Sequence, residues 1–204
     1  MNFGIQLSPI VRGLLIANVI LFVVTQFILP QSAGFLAVYY PTSVDFHPYQ
    51  ILTHMFMHAN MGHIFFNMFG LVTFGPMVES VFGARKFLIF YLICGLGALA
   101  MQFAANYFEI SRGSMSQIMA EQIPLVGASG CLFGILVAFA FLYPDMKVSL
   151  MFIPIFVAAK YVVPLFAAVE LFLGLGNMQQ GVAHFAHLGG AITGALLYLF
   201  WKQN

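Results

Sequence analysis

Apolar residues run along this chain in blocks of about twenty, cut by isolated charges, and that spacing matches the length a helix needs to cross a hydrocarbon layer. Six candidate spans result. The first runs from Gly13 to Leu29 after Arg12, the second from about Met61 to Val78, closed by Glu79, and the third from Phe87 to Ala105 after the pair Arg85-Lys86. The fourth covers Leu125 to Tyr143 and is closed by Pro144-Asp145; Lys160 opens the fifth, to about Leu175, and the sixth runs from Ala183 to Trp201. The stretch Val148 to Ala159 is too short to span and contains Pro154, so it reads as a loop or an interfacial segment. The runs are continuous rather than alternating, which points away from a β-barrel and towards an all-α polytopic membrane protein, a bundle of six transmembrane helices. There is no repeat, low-complexity tract or linker, so residues 1–204 read as a single domain.

Composition supports the same picture. Of 204 residues, 62% are hydrophobic and 6% charged, whereas a soluble domain needs about a quarter of its residues charged to cover its surface. A net charge of +1 supplies no basic face for DNA or RNA. With six spans, Arg12, Arg85, Lys86, Lys147, Lys160 and Lys202 fall on one side and Arg112 on the other. The positive-inside rule then makes the first side cytoplasmic, with both termini there, in a plasma (inner) membrane. The segment after Arg12 ends in Pro30 without a small-x-small cleavage site, so it fits an uncleaved first helix better than a signal peptide. On the outer side, residues 30 to 60 are rich in Phe and Tyr and are expected at the membrane interface, whereas residues 106 to 124 are more polar.

Polar groups are expensive inside a span, so each is a functional candidate. The set is Asn18, His63, Asn67, Ser129, Glu170, His184 and His187. The second, fourth and sixth helices all enter from the outer side, which sets His63, Ser129 and His187 at one level, roughly 5 Å below the boundary, if Ser129 and His187 lie about four residues into their helices. His63 and Asn67 share one helix face. A serine hydroxyl needs a base to become a nucleophile, and histidine suits that task near neutral pH. Gly127-Ala128-Ser129-Gly130 would let a substrate carbonyl approach closely, although by itself such a tetrapeptide more often serves helix packing. Gly190 and Gly194 form a GxxxG pattern, read as packing; together the two motifs bring the fourth and sixth helices into contact and His187 to Ser129.

These residues resemble the rhomboid intramembrane serine proteases over nearly the whole chain, in the segment His54-Met-Phe-Met-His58-Ala-Asn-Met-Gly-His63-Ile-Phe-Phe-Asn67, in Gly127-Ala-Ser-Gly130 and in Ala186-His187-Leu-Gly-Gly190. Glu79 and Gly83-Ala-Arg85-Lys86-Phe87 match the family's segment between its second and third helices. The resemblance implies Ser129 as nucleophile and His187 as general base, a dyad without a third acidic member. It also implies His63, Asn67 and the Ser129 amide as stabilisers of the oxyanion, and a cavity open to the outside. The Ala-His-x-x-Gly pattern selects His187 over His184. Where many members carry tyrosine this chain has Phe133, whose ring can still stack on His187. His54 and His58 are expected to shape or hydrate the entrance, and Asn18 and Glu170 to make inter-helix hydrogen bonds. The implied partners are transmembrane protein substrates and the lipid bilayer, with no cofactor. A metal site built from His54, His58, His63, His184 and His187 is disfavoured, since HExxH is absent and no acidic residue neighbours them in the sequence. The rival function is a catalytically silent membrane chaperone or adaptor that binds transmembrane clients.

Overall fold

The computed structural model describes residues 7–150, 153–176 and 183–203. Its helices are α1 (Pro9–Val23), α2 (Ser32–Leu36), α3 (Gln50–Thr53), α4 (Met61–Phe82), α5 (Ala84–Ser111), α6 (Gln117–Gln122), α7 (Ser129–Leu142), α8 (Ala159–Leu175) and α9 (His184–Gln203). A two-stranded antiparallel hairpin, β1 (Lys147–Leu150) and β2 (Ile153–Ala158), joins α7 to α8. Among the described residues the fold is all-α but for that hairpin and an isolated bridge between Val38 and Leu125. α5 is its centre, packing on α9, α7, α4 and α1, and its Phe87, Phe90, Tyr91 and Cys94 are fully buried. Outward faces are apolar instead of polar: Ile20, Phe27, Phe65, Phe172 and Leu196 are all exposed, which suits a lipid surround and would be a liability in water.

Among the described residues, long helices stand where the spans were expected, but their limits differ. α1 with the π-helical turn after it (Pro9–Ile28), α4 and α5 are long and apolar enough to cross a membrane. α4 runs past the expected stop at Val78, and α5 continues past Ala105 to Ser111, so single polar side chains do not end these helices. α7 is the informative deviation. At 14 residues it spans ~21 Å, short of the ~30 Å layer, because residues 125–128 are not helical. Leu125 exchanges backbone hydrogen bonds with Val38 (3.0 and 2.8 Å), and the Gly127 amide donates to the His54 carbonyl at 2.9 Å. Non-helical backbone at membrane depth is tolerable when protein satisfies it. Ser129 therefore opens its helix, and the sequence-based placement about four residues inside is corrected.

Residues 30 to 60 have two faces. Phe35, Val44 and Leu52 are exposed, while Met55, Met57 and His58 are buried against the bundle. The stretch Val148 to Ala159, expected as a loop or an interfacial segment, lies in the hairpin up to Ala158, paired Lys147 with Ala158 and Val148 with Val157, with Phe156 exposed, and Ala159 opens α8; Met151 and Phe152 lie outside the described residues. At the end of α4 remote from Ser129, the buried Glu79 carboxylate accepts from the Ser8 hydroxyl and from the amides of Ile10 and Val11, both at 3.0 Å. Those amides belong to the first turn of α1, where an α-helix has no acceptors of its own.

Candidate active site

Ser129 and His187 meet because two helix backbones touch. A Cβ added at Gly190 would land on the Gly130 carbonyl, and one at Gly194 would lie 2.7 Å from Gly134 Cα. No side chain larger than hydrogen fits between α7 and α9 at those points. The approach leaves His187 Nε2 2.9 Å from Ser129 Oγ, hydrogen-bond distance for a hydroxyl and an imidazole. Phe133, one turn along α7, stacks on the imidazole with centroids 4.5 Å apart and planes 9° from parallel. That contact fixes the ring plane without a hydroxyl.

On the other side of Ser129 stands α4. Its first turn is capped by Asn60, whose side chain accepts from the His63 amide at 2.9 Å. Gly127 has φ +133, a conformation that side chains rarely adopt, and the place its Cβ would take lies 2.9 Å from His63 Nε2 and 3.5 Å from Ser129 Oγ. Because residue 127 lacks a side chain, that space is free. An oxygen there would meet the imidazole of His63 and sit near the start of α7, where helix amides are unpaired. Asn67 is buried one turn below, its Nδ2 donating to the His63 carbonyl at 2.9 Å, which uses one of its two N–H groups. A cavity of about 920 Å³ runs between α4 on one flank and α8 and α9 on the other; His63, Asn67, Ser129, Phe133, His184 and His187 all line it.

Glu170 of α8 reaches the same place. Its Oε2 lies 2.6 Å from His184 Nδ1 and its Oε1 3.0 Å from His187 Nδ1. The second approach is oblique, and the buried His187 Nδ1 has no aligned hydrogen-bond partner among the described residues. The resemblance implies a dyad without a third acidic member; in the structure a carboxylate lies within ion-pair distance of the imidazole that faces Ser129. The donor atoms of Glu170, His184 and His187 fall within 4.8 Å of one another, but the 2.6 Å separation is that of a direct hydrogen bond and leaves no room between those two atoms for an ion.

The family model of the rhomboid domain matches residues 45–203. The chain belongs to the rhomboid family. Rhomboid protease AarA of Providencia stuartii is 35% identical over 148 residues, covering 70% of this chain and 52% of that protein. The mitochondrial Rhomboid protein 1 of Saccharomyces cerevisiae is 30% identical over 190 residues, 92% of this chain and 51% of that protein. Rhomboid protease GluP of Bacillus subtilis is 27% identical over 146 residues, 72% of this chain and 24% of its own. This rhomboid thus spans about half the length of the first two relatives and less of the third. The family includes serine proteases, and its fold is a multi-pass membrane bundle.

Within the rhomboid frame, His63, Asn67, Ser129 and His187 converge on one cavity, and His184 turns to Glu170 rather than to the serine. His54 and His58, expected to shape or hydrate the entrance, are both buried, and His54 lines a small pocket beside Gly127 and Ser129. His54 Nδ1 bonds the Gln50 carbonyl (2.9 Å), and its own carbonyl anchors Gly127, so its part is to hold the strained glycine. His58 sits edge-on to His63, centroids 5.0 Å apart, and neither of its ring nitrogens has a well-aligned hydrogen-bond partner among the described residues. Burial first, and the neighbouring His63 second, push its imidazole down to about 4; burial likewise lowers His54. Asn18 donates to the Leu14 carbonyl of its own helix at 2.7 Å and stands beside the Tyr91 hydroxyl of α5. Glu170 does bridge helices as expected, but one of the histidines it reaches is His187.

Proposed function

We propose that this rhomboid is an intramembrane serine endopeptidase that cuts transmembrane segments of membrane-protein substrates near their extracytoplasmic boundary. The observation that carries the reading is the 2.9 Å contact between Ser129 Oγ and His187 Nε2 inside a cavity large enough for an extended peptide. His187 takes the Ser129 proton as Oγ attacks the scissile carbonyl carbon. The oxygen that becomes negative is met by His63, Asn67 and the Ser129 amide, donors aimed at it in advance. His187 then protonates the leaving amine, and water entering the cavity hydrolyses the acyl-enzyme. A helical substrate hides its carbonyls in backbone hydrogen bonds, so cleavage favours sites with helix-weakening or small residues. The charge distribution supports cytoplasmic termini and a cavity that opens outward, in a single domain over 1–204. Relatives carry mitochondrial as well as bacterial names, so the proposal commits to the orientation rather than to one organelle.

The test is incubation of the reconstituted chain with a panel of single-span substrates, beside labelling by a fluorophosphonate. Wild type should cut and be labelled, and Ser129→Ala and His187→Ala should each abolish turnover, the double variant being no worse than either alone, because both remove the same proton transfer. Binding of spans without cleavage or labelling would identify a silent adaptor instead.

A further inference from the structure

The geometry points to Glu170 as a positioning residue for the base: its carboxylate, steadied by His184, accepts from His187 Nδ1 and so leaves Nε2 as the lone-pair nitrogen that faces Ser129. This inference rests on the protease reading above. A neutral imidazole carries one proton; for Nε2 to accept from a hydroxyl, that proton must sit on Nδ1, and a buried N–H needs an acceptor. Glu170 Oε1, 3.0 Å away, is the carboxylate there to supply it. Simple bridging of α8 to α9 would need one imidazole. Here each oxygen addresses a different one, Oε2 to His184 at 2.6 Å and Oε1 to His187, and the two histidines stand three residues apart on one face of α9. The His184 contact orients the carboxylate plane, and the stack with Phe133 orients the ring. The second contact stands at ion-pair distance without hydrogen-bond alignment, so acceptance from Nδ1 requires the ring or the carboxylate to rotate.

The protons balance without transfer to Glu170. As Oγ bonds to the carbonyl carbon, its O–H bond breaks and the proton goes to Nε2. The imidazolium then holds both protons, and its charge is met by the carboxylate, which stays ionised. When the C–N bond breaks, the Nε2 proton leaves with the amine and the original tautomer returns. An amide in place of the carboxylate can present its NH₂ to Nδ1 and favour the wrong tautomer.

The test uses the full chain in proteoliposomes with a single-span substrate that wild type cuts, and Ser129→Ala as the blank. Glu170→Gln should lower kcat by about 10²-fold with KM within about twofold, and Glu170→Asp, which keeps the charge, should recover part of that loss. A Glu170→Gln kcat within about twofold of wild type, a change confined to the thermal midpoint, or an Asp variant no better than Gln overturns the inference. If Glu170→Gln fails to fold, Glu170→Asp decides alone: a several-fold lower kcat at constant KM supports the role, and an unchanged kcat refutes it. Loss or gain of wild-type activity on adding EDTA also overturns it, by assigning the cluster to a metal. A wild type that fluorophosphonate leaves unlabelled at Ser129 removes the protease reading as well, whereas a labelled and active wild type with an equally active Gln variant removes this inference alone.

Discussion

Replacing Gly190 by alanine tests whether backbone contact between α7 and α9 sets the reacting geometry. The new Cβ would stand 2.7 Å from the Gly130 carbonyl carbon and 3.1 Å from its Cα. Ordinary carbon contacts lie at about 3.5–4.0 Å, so one helix must retreat by about 1 Å, and the obstacle is backbone that cannot rotate aside. Gly130 follows Ser129 directly, and Gly190 is one turn from His187. The retreat therefore passes to the 2.9 Å Oγ···Nε2 contact and opens it to nearly 4 Å, beyond hydrogen-bond range. Overpacking of this kind costs about 1–3 kcal/mol of stability, and a misplacement of that size about 10²-fold in rate. Turnover of a single-span substrate and thermal midpoints in detergent would be compared for Gly190→Ala and for Gly13→Ala, where an added Cβ meets nothing within 4 Å. Equal turnover in the two variants would refute the argument.

Three further outcomes are expected. His63→Ala and Asn67→Ala should each slow the chemical step while folding normally, with a loss up to the about 2.7–4 kcal/mol typical of one oxyanion donor; full activity of both on a slow substrate would mean that other groups hold the oxygen. Because the folded state keeps His58 neutral down to about 4 while the unfolded chain takes up a proton near 6.5, stability should be full above pH 6.5 and fall between 6.5 and 4, by at most about 1.4 kcal/mol per pH unit from this group. Melting of His58→Gln across that window should show a shallower slope, and an unchanged slope counts against it. After Cys94 and Cys131 are replaced by Ala, an impermeant thiol reagent on intact cells should modify cysteine introduced at Ser114 and spare it at Lys147; the reverse pattern would invert the proposed orientation.

The residues on α4, α7 and α9 that share the cavity were legible because each signal is local: a polar group in an apolar run, with small residues beside it that let helices touch. What escaped was of two kinds. Hydropathy does not distinguish extended from helical apolar chain, so Leu125 to Ala128 merged with α7, although Pro124 and Gly127 mark an interruption. In the same way, the β-branched residues of the hairpin passed for a loop once Pro154 had excluded a helix. Glu170 escaped because its meaning depends on which face of α8 meets α9, a property of packing and not of spacing. Its isolation in the sequence made an ordinary bridging role the natural reading.

The clasp between Glu79 and the start of α1 fixes a height. Asn67 and Glu79 lie twelve positions apart on α4, which continues through Pro76 between them, a separation of ~18 Å along its axis. With one end of that rod held by the amides of Ile10 and Val11, the depth at which Asn67 and His63 stand is measured from the far side of the bundle rather than set by the loops around the cavity. α4 thus acts as a gauge. One residue inserted between Asn67 and Glu79 would lift the outer turn by ~1.5 Å and swing it through ~100°, taking both side chains off the face they present to Ser129 while leaving every cavity residue in place by name.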